Sequence, residues 1–229
     1  MTTFEKWRNR LSHEERLAIA ESKTAKLLDL GIELINYHAS NRIILFSNVL
    51  GSQIPQSYAG HAFHFFRRGL FEIEVIKLAR LWDRPGQHTY SIPSVWSLVR
   101  DSNFQEFIKQ RHFTADAYGD NANELTRRWS RLNRLLSRDG ENPLRLAVAN
   151  FRHKHLAHFL EQTYDEEKGV TFRTVVYGDE RRLLYRTLSV INVLDLAVRR
   201  SGFNWKESCK MARRNAEALW HGCTFKVLE

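Results

Sequence analysis

Only four prolines, Pro55, Pro85, Pro93 and Pro143, interrupt this chain of 229 residues, and glycine is scarce at 11. Proline lacks an amide proton and its ring clashes with the preceding turn, so each one marks an edge that a helix does not cross. Between those edges, apolar side chains recur at the three-to-four spacing of one helix face. The expected architecture is an all-α bundle forming one domain over residues 1–229.

Ser12-His13-Glu14-Glu15 is a capping box. Leu17, Ala20, Leu27, Leu34 and Ile35 then carry a long first helix, ending near Tyr37 to Ser40 or running on through Phe46. Residues 47–57, with Gly51 and Pro55, read as a loop. A second long helix spans about 59–83 and is stopped by Asp83-Arg84-Pro85-Gly86. Short helices follow near 93–100 and 104–110, anchored by Trp96 and Phe107. Over 121–138, Leu125, Trp129, Leu132 and Leu136 oppose a row of Arg127, Arg131, Arg134 and Arg138 at four-three-four spacing. Such a row is either a solvated face or a ridge that tracks phosphates. Asn142, a cap candidate, and Pro143 at the first helical position open a helix expected to reach about Gln162. Tyr164 to Gly169 is polar, and 170–177 alternates in the manner of a short extended arm or hairpin. Asp179 caps a helix to Arg200, and Asn204 caps a last one from Trp205 to about His221.

A formal charge of +9 favours a polyanionic partner, most simply RNA or another nucleic acid, and no run of Lys or Arg exceeds two, so the charge is not a basic tail. Cys209 and Cys223 are the only cysteines and form no CxxC pair, which argues against a disulfide framework or a zinc ribbon and for a reduced, cytoplasmic setting. The N-terminus is charged where a secretory signal is apolar, and no apolar stretch approaches the ~18 residues of a membrane span. There is no internal repeat and no glycine-rich phosphate loop, so nothing implies a cofactor.

The least ordinary stretch is Asn150-Phe-Arg-His-Lys-His-Leu-Ala-His-Phe159. On an α-helix, Asn150, Lys154 and Glu161 share a polar stripe, whereas Arg152, His155 and His158 lie outside it, about 60° apart in succession on one side. A cation and two imidazoles on a mostly apolar face need a carboxylate, a subunit contact or a ligand phosphate. They are either satisfied core residues or a site.

The run Arg152-His153-Lys154-His155-Leu156-Ala157-His158 resembles the Arg-polar-x(3-5)-His motif of the HEPN superfamily, all-helical proteins many of which are metal-independent ribonucleases of antiviral and toxin-antitoxin systems. The stretch Lys77-Leu78-Ala79-Arg80-Leu81-Trp82-Asp83, followed by Tyr90-Ser91-Ile92-Pro93, is similar to the AbiU-type abortive-infection branch of that superfamily. Arg80 and Asp83 are three apart and able to pair within the helix; alternatively, Asp83 lies beside Arg152 and orients its guanidinium.

The resemblance implies a HEPN-like bundle, a homodimer that sets two motifs face to face, and RNA cleavage to a 2',3'-cyclic phosphate without a metal or cofactor. In it Arg152 and His158 are the catalytic pair, with His153, His155 and Lys154 in supporting roles. An antitoxin or another defence-system protein is a possible partner class. Some HEPN toxins carry a tyrosine two residues after the motif histidine, where a nucleotidyltransferase modifies them; here that position is Leu160. Two other readings stand beside this one. A metal-dependent phosphohydrolase would use His153, His155 and His158, or His61 and His64, but neither cluster has a carboxylate within its spacing. A non-catalytic basic helical module would bind RNA or a partner protein.

Overall fold

The computed structural model describes residues 1–54, 58–112, 118–140, 142–157 and 160–225, and of residues 58, 118–122, 138–140 and 156–157 the backbone alone. In chain order the helices are α1 (Thr3–Arg8), α2 (His13–Phe46), α3 (Asn48–Gln53), α4 (Tyr58–Arg80), α5 (Ile92–Val99), α6 (Ser102–His112), α7 (Tyr118–Gly140) and α8 (Pro143–Phe151). A π turn (Arg152–Ala157) follows, then α9 (Tyr164–Glu167), α10 (Asp179–Val198) and α11 (Trp205–Trp220). The protein is all-α: among the described residues there is no strand, and no helix is long and apolar enough to cross a membrane.

The 34-residue α2 is the spine. The Ser12 hydroxyl accepts from the Glu15 amide at 3.2 Å while the Glu15 carboxylate accepts from the Ser12 amide at 2.8 Å, so two of the orphan donors at its start are satisfied reciprocally. Helices α4, α10 and α11 pack against it, and α4 also packs against α10. Gly31 lets α11 approach closely, because a Cβ there would stand 2.6 Å from the Trp205 ring. Leu27 and Leu34 of α2, Val75 and Leu78 of α4, Leu98 of α5, Phe104 of α6 and Ile191 and Leu194 of α10 are buried in one continuous apolar core.

Several expectations need correction. The stretch expected as a loop after Phe46 contains α3, which Ser47 caps and whose Leu50 is fully buried. Helix α1, capped by Thr2 with Phe4 buried, was not anticipated from the sequence, nor was α9, capped by Thr163. Residues 170–176 form neither helix nor strand ladder; the Arg173 guanidinium and the Val176 amide both donate to Asp179, which pins the segment as an arm against the start of α10. The helix expected to reach Gln162 is α-helical only to Phe151.

Candidate active site

The site is built where two chain ends of regular helix meet. Helix α8 opens on Asn142, whose Oδ1 accepts from the amides of Leu144 at 2.9 Å and Arg145 at 3.3 Å, with Pro143 at the position that needs no donor. After Phe151 the hydrogen-bond register widens into the π turn, a form that tends to occur where side chains are being re-aimed. The α-helical step of about 100° therefore does not run from Arg152 to His155, so it is not what sets those two on one side; His158, the third of the set, lies outside the described residues.

The turn packs against α4. Beyond Arg80 that helix tightens: the amides of Leu81, Trp82 and Asp83 each reach back three residues, to Leu78, Ala79 and Arg80. Trp82 is buried, its indole N–H donating to Thr187 Oγ1 of α10 at 2.9 Å, and the Leu81 carbonyl accepts from the Ile92 amide at 2.8 Å. These bonds fix the end of α4. They present Asp83, whose Oδ1 accepts from Arg152 Nη1 at 2.8 Å. Asp83 thus meets Arg152 across 69 residues of sequence, and Arg80 stands exposed. The guanidinium is largely covered, with 19% of its side chain exposed, and its remaining donors have no partner among the described residues.

Lys154 turns the other way. It pairs with Glu166 of α9 at 3.1 Å, and Asn150 donates to the same carboxylate at 3.1 Å while accepting from the Thr163 hydroxyl at 2.7 Å. The polar stripe of Asn150 and Lys154 is therefore an anchor for α9. Glu166 is held at about 2, first by the Thr163 backbone amide and then by Lys154 and Asn150. Sequence reading missed Glu166 and Thr163, although Thr163-Tyr-Asp-Glu166 is a capping box in plain sight.

His153 and His155 are exposed, the ring of His155 lying 5.1 Å from that of Phe151. His158 and the side chain of Arg138 lie outside the described residues. Arg127, Arg131 and Arg134 are exposed along α7, with Glu124 pairing to Arg127 at 3.8 Å and to Arg128 at 3.2 Å, so the row is not wholly free of acids. Helix α7 packs mainly on α6 and α10, whereas the Arg152 turn packs on α4 and α8. An open cleft of about 420 Å³ adjoins the turn at Phe151, lined by His64, Arg67 and Arg68 of α4 and by Tyr177. Among the described residues no three His, Cys, Asp or Glu side chains are grouped to hold a metal ion.

The protein is an all-α bundle in which the Arg-His-Lys-His run sits in a π turn and is answered by Asp83, just past the end of α4. More narrowly, the family model described as AbiU2 matches residues 24–219, from α2 to α11 and across both segments of the site, and the chain belongs to this HEPN family. No curated protein and no solved structure matches it.

Proposed function

We propose that this protein is a metal-independent endoribonuclease acting in abortive infection or as a toxin, with a composite site formed by two copies of the chain. The observation that carries the reading is the Asp83–Arg152 pair, which holds a largely covered guanidinium by one edge and leaves its other donors for a ligand. Family membership supports it.

The chemistry follows from what RNA cleavage requires. One imidazole takes the proton of the ribose 2'-hydroxyl as its oxygen attacks the neighbouring phosphorus. A second imidazole gives a proton to the 5'-oxygen as the bond to phosphorus breaks, leaving a 2',3'-cyclic phosphate and a 5'-hydroxyl. The Arg152 guanidinium stabilises the charge that grows on the non-bridging oxygens. His158 supplies the imidazoles, one from each protomer, which is why one chain is half a site. Because the nucleophile belongs to the substrate, the reaction takes RNA and not DNA. The basic cleft beside Phe151 and the exposed arginines of α7 offer paths for the flanking strand.

The test is incubation of purified protein with total RNA in EDTA, comparing wild type with Arg152→Ala and His158→Ala. Wild type cleaves, both variants do not, and His158→Ala still binds RNA. If EDTA abolishes cleavage, or if His158→Ala cuts at the wild-type rate, the proposal fails. The exposed cations of α7 favour the second reading, a non-catalytic RNA-binding module, in the case where wild type binds RNA and leaves it whole.

A further inference from the structure

Helices α2, α10 and α11 line a second opening, of about 370 Å³, that the ribonuclease reading does not use. Its size lies within the range of roughly 300 to 1,000 Å³ typical of small-molecule sites. His38 lines it and is 5% exposed. The Nδ1 of this imidazole lies 2.8 Å from Oε1 of Glu74, a carboxylate with no solvent exposure whose other oxygen accepts from Asn41 Nδ2 at 2.7 Å. That contact fixes the orientation of the ring. The opposite edge of the ring carries Nε2, which is buried and has no hydrogen-bond partner. It is one of twelve buried side-chain atoms without a hydrogen-bond partner among the described residues, and the one that belongs to the lining of this opening.

The charge around it names the ligand. Arg42, Arg181, Lys210 and Arg213 line the opening against one acid, Glu217. Arg42 makes no ion pair among the described residues, and Arg181 rests 5.8 Å above the ring of Tyr185. Lys210 and Arg213 form only exposed pairs along their own helix, with Glu207 at 3.2 Å and Glu217 at 2.7 Å, which an incoming anion readily replaces.

We infer that this opening is a second, separate site, one that binds a phosphate-bearing small ligand of mononucleotide size. Arg42 and Arg181 hold the phosphate oxygens, and His38, held by Glu74, forms the buried wall of the opening behind them. The volume favours a small molecule over an RNA strand. This site stands whether or not the chain cuts RNA.

Isothermal titration of the full-length protein at fixed ionic strength tests it, using inorganic phosphate, adenosine 5'-monophosphate, adenosine, and a 5'-phosphorylated RNA oligonucleotide in separate arms. The expected result is saturable binding of the monophosphate at one per chain, weaker binding of inorganic phosphate, and none of adenosine. Equal affinity for phosphate and the monophosphate also supports the anion site and identifies inorganic phosphate as its ligand. Arg42→Ala and Arg181→Ala, both exposed and outside the core, each weaken binding by about tenfold or more. Absence of saturable binding of either anion below ~1 mM overturns the inference. So does wild-type affinity in both arginine variants, or binding confined to the oligonucleotide arm.

Discussion

Replacing Asp83 with Asn separates the orientation of Arg152 from the stability of the fold. Oδ1 of Asp83 accepts from Arg152 Nη1 at 2.8 Å, with the two side chains 36% and 19% exposed. Asparagine keeps the size and one acceptor oxygen but drops the charge. With the carboxylate 36% exposed, the scale of solvent-screened ion pairs applies, about 0.5–1 kcal/mol, so Tm falls by no more than about 4 °C in a chain of this length. The loss in cleavage is larger. Without a charge to hold it, the guanidinium leaves the position where phosphate charge develops, and a displacement near 1 Å costs up to about a hundredfold. We expect kcat/KM to fall by about 10- to 100-fold. The assay is initial-rate cleavage of a labelled RNA in EDTA by wild type, Asp83→Asn, Arg152→Ala and the double variant, with melting curves for all four. If Asp83 acts through Arg152, the double variant is no slower than Arg152→Ala. Wild-type rates for Asp83→Asn, a rate loss that tracks loss of folded protein, or additive effects in the double variant would each refute the reasoning.

Two further predictions concern what holds the site in place. Glu166 sits at about 2 in the folded protein, below its ordinary value of 4.5. The stability it contributes is therefore complete above about pH 4.5 and is lost as pH falls toward about 2. Thermal melts across that range should show wild type above Glu166→Gln at neutral pH and the two converging at the acid end; a constant gap counts against the network. Thr187→Val keeps the shape of the side chain but strips the acceptor from the buried Trp82 indole, now bonded at 2.9 Å. A stranded donor of that kind costs about 1–3 kcal/mol, read as a lower urea midpoint at unchanged slope; an unmoved midpoint means the indole does not need the threonine.

What the sequence makes legible here is local, and what it hides depends on three dimensions. Ser12, Asn142 and Asn204 cap where expected because a cap is a bond between neighbours in the chain. Gly51 and Pro55 made residues 47–57 look like loop, yet burial of Leu50 outweighs a glycine's modest helix penalty, and α3 forms. The Arg80–Asp83 spacing left two partners open for the carboxylate. A bond within the helix needs the helix to continue, and α4 ends at Arg80, so the carboxylate goes to Arg152. The π turn is invisible to periodicity, since nothing in Arg-His-Lys-His fixes whether each amide reaches back four residues or five. The same limit explains why the second site has no signature at all. His38 and Glu74 are 36 residues apart and each reads as an ordinary helical polar residue. Only the packing of α2 against α4 puts a carboxylate behind the imidazole, and only α10 and α11 bring Arg181 and Arg213 to the opening that His38 lines. A motif in sequence can announce the Arg152 turn because its residues are neighbours, whereas a pocket drawn from three helices is defined by distances alone.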